Sequence, residues 1–281
     1  MFLLEEKEQL LVLIRQIRQD HPRMSSRQMY RLLQPVHIGR DRFETICFEH
    51  GFKVSIKRSY HRTTNSLGVT RFENLIQDYE LTGVNQVWVS DITYYRIEEK
   101  FYYLTFILDM YSRFIVGYSV SKDLSTHSTT IAALGIALRR RKIRPGLIIH
   151  SDGGGQYYCK EWLSLTGQQK MRNSMCDTPY DNPHAERING VIKNDYLSGY
   201  GPASLDQLIT MTGKAVEKYN NEKPHSSLGQ MSPSQYEQLS TRTQKEKKNQ
   251  KKKKRRNMDN SRRVTHIPAN DYNNNNKLMY I

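Results

Sequence analysis

The sequence predicts an α/β protein: a sheet of mixed antiparallel and parallel order flanked by helices, preceded by a helical unit and followed by a basic tail. Three observations lead there. Gln86–Tyr95, Phe101–Met110 and Arg113–Val120 are dense in Val, Ile, Tyr, Phe and Thr and separated by short polar breaks, as consecutive antiparallel strands are. Beyond them helical and short apolar segments alternate, which indicates parallel crossovers. Ahead of Lys53 the apolar residues recur at helical spacing.

Residues 5–20 (EEKEQLLVLIRQIRQD) place Leu10, Leu13, Ile14 and Ile17 on one helical face and stop at His21-Pro22. Ser25 or Ser26 caps a second short helix through Leu33. A third runs from about Arg40 to His50, with Gly51 placed to end it. Three short helices with tight connections suit a helix-turn-helix whose last helix offers Arg40 and Arg42 to a major groove. A small bundle that binds no DNA satisfies the same pattern. Residues 1–57 form this expected domain, 58–83 a weakly patterned linker, 84–238 the α/β core with a helical extension, and 239–281 the tail.

Within the core, RIEEK between the first two strands indicates a hairpin, and the third strand continues the meander. Ser125 or Thr126 caps a helix through IAALGIAL that ends in Arg139, Arg140 and Arg141, charges suited to its C-terminal dipole. Pro145-Gly146 then turns the chain into the buried strand LIIH. A helix near Lys160–Thr166 and a weak strand near Met171–Met175 follow. Asn182 as cap and Pro183 at the first helical position mark the next helix.

The formal charge of +15 points to a polyanionic partner, since basic side chains gain affinity by releasing counterions from phosphates. Most of it lies in one place: Thr241–Arg263 holds 12 Lys or Arg against 2 acids, which leaves about +5 for the rest. That segment has no apolar periodicity and reads as disordered, either a salt-sensitive DNA attractor or a solubilising end. Cys47, Cys159 and Cys176 are scattered, without C-x-x-C or zinc spacing, and fit a reducing compartment. No apolar run reaches the roughly 20 residues of a membrane span. The expected location is the cytoplasm, on the nucleoid.

Three acids stand in contexts that carry chemistry. Asp91 lies inside WVSDITYY, a strand otherwise built for burial, where a carboxylate calls for a cation. Asp152 follows LIIHS and precedes Gly153, Gly154 and Gly155, so it projects from the carboxyl end of a strand, where α/β sheets place ligands. Glu186 falls early in the Pro183 helix, opposite the stripe of Ile188, Val191 and Ile192, with Asn189 and Lys193 on its own face. Taken singly, Glu186 or Lys193 reads as a solvated helix face. Together the acids make a hard oxygen donor set suited to Mg²⁺ or Mn²⁺. Two such ions would serve an in-line displacement at phosphorus.

VWVSDITYY, ILDMYSRFIVGYSV, HSDGGGQYY, SMCDTPYDNPHAERINGVIKNDY and YNNEKPHSSLGQMSPSQYE stand in an order that resembles transposases of the insertion-sequence-three family. That family is similar to retroviral integrases in its catalytic core, has a ribonuclease-H-like fold, and belongs to the aspartate-aspartate-glutamate superfamily. The likeness covers roughly Val87–Glu237, and the N-terminal part looks like the helix-turn-helix that precedes such cores. It implies that Asp91, Asp152 and Glu186 hold two metal ions, with Asp91 bridging them. It also implies cleavage at element ends and joining of the 3′-hydroxyl to target DNA by a homo-oligomer on DNA. Lys193 matches a DNA-contacting lysine, and Gln156, Tyr157 and Asn189 are expected near DNA. Asp109 falls on a motif but suits a structural role at a strand end, and His150 and His184 suit packing or hydrogen bonding.

Some positions depart from the pattern. The interval between Asp152 and Glu186 holds 33 residues where the family usually has 35. Ile188, Asn189 and Gly190 replace an aromatic run, and Lys223 replaces an arginine. Family members are often made as a fusion with an upstream frame, which would be a partner here. The shortened interval leaves a second reading, a catalytically inactive DNA-binding regulator. A nuclease that only hydrolyses shares the metals but leaves YNNEKPHSSL and the helix-turn-helix without a purpose.

Overall fold

The computed structural model describes residues 2–54, 72–176 and 182–243, with Glu246, Asn249, Gln250 and Lys252. Residues 58–71 of the expected linker and nearly all of the expected basic tail lie outside that set. Met1–Glu237 make one compact unit.

Helices α1 (Phe2–Asp20), α2 (Ser26–Leu33) and α3 (Arg40–Glu49) open the chain. Ser25 is the cap of α2: its hydroxyl accepts from the Gln28 N–H while the Gln28 side chain accepts from the Ser25 N–H. Such reciprocal caps contribute about 1 kcal/mol. Gly51, at φ +72, ends α3; its N–H donates to Phe48 O and the Phe52 N–H donates to Cys47 O, so the last carbonyls are satisfied. Leu10, Leu11, Ile14, Met24, Met29, Phe43, Ile46 and Cys47 form a core of their own. Leu13 belongs to the expected apolar face but is 42% exposed, because the buried stripe runs through Leu11 instead.

The end of α1 fastens this bundle to the rest of the unit. Buried His21 bonds the Tyr196 hydroxyl through Nδ1 at 3.0 Å and Glu222 through Nε2 at 3.1 Å. Asp20 pairs with Lys214 and Lys218, and its carbonyl accepts from the Tyr200 hydroxyl.

Among the described residues, five strands form one sheet: β1 (Val87–Ile97), β2 (Lys100–Asp109), β3 (Ile115–Ser121), β4 (Ile148–Ser151) and β5 (Arg172–Met175), in the order β3-β2-β1-β4-β5. β1, β2 and β3 are antiparallel, while β4 runs parallel to β1 and β5 parallel to β4. The hairpin is tighter than RIEEK implied. Ile97 pairs with Lys100, so only Glu98 and Glu99 turn, with Glu98 at φ +51.

Helices cover both faces, and strand alternation decides which residues meet them. Val87, Val89, Leu104, Phe106 and Ile148 face α6 (Pro183–Gly190) and its continuation, a π-helical turn over Val191–Leu197 leading into α7 (Ser198–Tyr200), together with α8 (Leu205–Asn221). Trp88, Ile107 and Ile149 face α4 (Ala132–Arg140) and α5 (Lys160–Gln168). The expected helix after Ser125 begins with a π-helical turn, His127–Ile131, before α4. Gly117 allows α4 its approach to β3, since a Cβ there would lie 2.2 Å from Ala133 O.

Two polar residues fix the sheet's free end. Asp109, fully buried, accepts from the N–H groups of Asn85, Tyr111 and Ser112, which is the structural role its strand-end position implied. Asn220 of α8 bonds both the N–H and the carbonyl of Ile115, as a neighbouring strand would. Residues 72–83, the described part of the expected linker, lie against the core through Leu75, Ile76 and Leu81. Among the described residues no helix is long and apolar enough to cross a membrane.

Candidate active site

β1 outruns β4, and that mismatch makes the site. Their parallel register sets Val87 beside Ile148 and Val89 beside His150. Carried two residues further, it brings Asp152, just past the end of β4, beside Asp91. Both acids share the face of Ile148 and Val89, the one covered by α6. Gly153 makes the exit from β4 at φ +80, with Met175 packed so closely that a Cβ would lie 2.6 Å from its Sδ.

Burial raises the Asp91 carboxyl to about 8, with the charge of Asp152 and then that of Glu186 adding to the effect. The Ile92 N–H (2.9 Å) and the Asn189 side-chain amide (2.6 Å) oppose it. Burial also raises Asp152, against the pull of the Gly154 N–H, 3.1 Å from its Oδ1. Among the described residues no cation is bonded to either aspartate. Glu186 is the outermost of the three: it is exposed, and it acts on Asp91 less than Asp152 does. In this conformation the described residues hold no group of three Asp, Glu, His or Cys side chains gathered tightly enough to ligate an ion. The donor set nevertheless fits a hard divalent cation, because two part-buried carboxylates repel one another and the Asn189 Oδ1 beside them is buried without a partner.

Around the acids the expected residues divide. Asn189 and Lys193 both turn to β1. Lys193 donates to Thr93 Oγ1 at 2.9 Å and lies 5.0 Å over the Tyr94 ring, and burial lowers its ammonium pKa while Asp91 raises it. Gln156 is part-exposed and donates to Leu124 O at 3.1 Å. Tyr157 points the other way, into the core against Trp162, with its hydroxyl 2.9 Å from Ser90 Oγ; it supports β1 from beneath and presents no surface to a duplex. Arg40 and Arg42 are exposed on α3 but held by acids of the same helix, Arg40 by Asp41 and Glu44 and Arg42 by Glu49. Asn182 does not cap α6 with its side chain, as its position implied; its amide donates to Ser90 O at 3.0 Å and ties the helix start to β1. His150 is buried between Ser174 Oγ and Cys176 Sγ, a packing and hydrogen-bonding role. His184 is lowered to about 4 by burial and by the charges of Arg113 and Arg187.

An acid within the central strand β1, a second just past the carboxyl end of the adjoining parallel strand β4, and a helix bearing a third acid against them are the arrangement of the integrase-type cores. Residues 82–180 match the family model described as integrase core domain, and residues 168–233 match a second model of that description. The "uncharacterized 31 kDa protein" of insertion element IS600 from Shigella sonnei is 35% identical over 204 residues, 71% of this chain and 75% of its own length. Transposase InsF for insertion sequence IS3A from Escherichia coli (strain K12) is 34% identical over 174 residues, so this chain spans 60% of that relative. The fold is shared with a chain in the simian T-cell lymphotropic virus intasome bound to PP2A regulatory subunit B56 gamma, at a TM-score of 0.50 and 17% identity over 76% of this chain and 70% of that one. The chain belongs to the insertion-sequence-three family of transposases, polynucleotidyl transferases of DNA transposition and integration.

Proposed function

We propose that the protein cleaves DNA at the ends of a mobile element and joins the freed 3′-hydroxyl to target DNA, in a reaction that depends on divalent metal held by Asp91, Asp152 and Glu186. The observation that carries this reading is the Asp91–Asp152 pair, part-buried side by side with no cation of the described residues bonded to it. When bound, two Mg²⁺ or Mn²⁺ ions would supply Lewis-acid activation of the attacking oxygen and charge neutralisation at phosphorus. Asn189 holds one oxygen of Asp91 in place. Lys193, beside Thr93, offers a positive charge to a phosphate at the mouth of the site. Gln156, Arg40 and Arg42 supply further DNA contacts, the two arginines by exchanging their helix-internal acids for phosphates.

The domain boundaries at 57, 83 and 238 follow the same reading, with the three-helix unit as the DNA-binding part. The protein works in the cytoplasm, as an oligomer on DNA, and an upstream-frame product is a partner for end recognition. Purified protein with Mg²⁺ and DNA bearing element ends is expected to give strand-transfer products, abolished by Asp91→Asn or Glu186→Gln. Equal activity in those variants would remove the metal assignment. DNA binding without cleavage would favour the inactive-regulator reading, for which the exposed position of Glu186 is the supporting observation.

A further inference from the structure

Basic side chains from three distant parts of the sequence converge beside the start of α6. Arg113 comes from the turn between β2 and β3, where its backbone is held at φ +63 by its N–H bond to Asp109 O. His184 and Arg187 come from α6. His225 comes from the segment after α8, paired through its backbone with Met231, its ring edge-on to buried Tyr219 at 4.9 Å. Asn220 clamps the end of α8 to Ile115, two residues from Arg113, so rigid elements hold the cluster together.

These groups act on one another. Arg113 and Arg187 both reach His184, His225 and the Tyr219 hydroxyl with their charge. Among the described residues they lack an acid in contact. Nη1 of Arg113 and Nε2 of His225 are buried with no hydrogen-bond partner. Asp109, whose charge reaches Arg113, is already occupied by Asn85, Tyr111 and Ser112. Neighbouring Lys223 differs, since Asp195 pairs with it at 3.0 Å. Buried donors left open around a guanidinium are costly unless an anion completes them.

We propose that Arg113, Arg187, His184 and His225 form a second phosphate-binding site, which grips a backbone phosphate of DNA on the side of α6 away from Asn189 and Lys193. At roughly 3.6 residues per turn, His184 and Arg187 lie most of half a turn from Asn189. A planar guanidinium fork matches two phosphate oxygens, and an imidazole N–H adds a third donor. Strands on the two sides of α6 would bracket Glu186. The proposal rests on the reading that the protein acts on DNA.

The test is duplex binding by the full chain, read by fluorescence anisotropy in EDTA across a salt series, so that catalysis plays no part. Each phosphate contact contributes about 0.9 to the slope of log affinity against log salt. Arg187→Gln and Arg113→Gln are each expected to lower that slope by about one on element-end and unrelated duplexes alike. Arg187→Lys should keep it. Arg187 is exposed, so its variant reports on binding even if Arg113→Gln fails to fold. Unchanged slopes in a chain that binds DNA would overturn the second site and leave the transposase reading standing. A wild-type chain that binds no duplex at low salt would overturn both.

Discussion

Asn189 donates a 2.6 Å hydrogen bond to Oδ2 of Asp91, so the helix that carries Glu186 is tied to the strand that carries the first aspartate through the acid itself. Asn189→Ala removes this bond and leaves the carboxylate oxygen free to turn. A charged-group hydrogen bond contributes about 1.5–3 kcal/mol, and loss of a ligand's supporting contact weakens metal affinity or activity by about 10–100-fold. Calorimetric Mn²⁺ titration alongside strand-transfer assays checks this. Wild-type affinity in the variant would show that Asp91 is oriented by other means.

The metal-free protein is expected to lose stability as pH rises. Burial beside Asp152 raises Asp91 to about 8 in the fold, against an ordinary aspartate value of about 4. A carboxyl raised in this way favours the fold fully below its unfolded pKa, and that contribution fades between about pH 4 and pH 8. Thermal unfolding in EDTA should therefore show a falling midpoint over this window, with a flatter profile in Asp91→Asn. Parallel profiles for the two proteins would contradict the burial of Asp91.

Metal binding should release protons for the same reason. Burial and mutual repulsion raise the Asp91–Asp152 pair, which therefore holds a proton further up the pH scale than free carboxylates do, and an ion that takes both carboxylates must displace it. Titrations in buffers of different ionisation enthalpy are expected to give about one proton released near pH 7 and fewer above pH 9. A release that does not depend on pH would point to other ligands.

Gly153→Ala should damage the site without touching an acid. The residue sits at φ +80, which costs a side chain roughly 1–2 kcal/mol, and its Cβ would press on Met175 Sδ. A lowered unfolding midpoint with reduced activity is expected. Adding Met175→Ala should recover part of the loss; no recovery would assign the whole effect to backbone strain.

Tyr196→Phe tests the joint between the helical bundle and the core. It removes the hydroxyl bonded to buried His21 and is expected to cost about 1–3 kcal/mol. Proteolysis near residues 50–54 should become faster while the core stays resistant. Equal cleavage rates would show that the remaining contacts, the Asp20 ion pairs and the His21–Glu222 bond among them, hold the joint without the Tyr196 hydroxyl.

Much of this was legible in the sequence because it depends on local chemistry. The β-branched and aromatic runs mark three strands close to their observed bounds, the Ser25-Ser26 pair marks the start of α2, with Ser25 the cap, and Gly51 marks the end of α3. Asp91 stands out as a carboxylate inside a strand otherwise built for burial, and Asp152 as the acid between an apolar strand and three glycines. Tyr157 was harder, since after three glycines no period tells which way a side chain turns; the tertiary fit to Trp162 decided it. The π-helical turns shift the helical frame in a way that no residue type signals, and Asn182 looked like a cap until the carbonyl of Ser90 came within reach. Residues 113, 187 and 225 carry no mutual spacing, so their cluster emerges only from the fold.

The unbroken passage from Pro183 through the π-helical turn to Tyr200 makes one rod with two loads. Glu186 rides near one end, while Tyr196 and Tyr200 near the other take the grip of His21 and Asp20. The N-terminal bundle and the third acid therefore take their support from one continuous helical run.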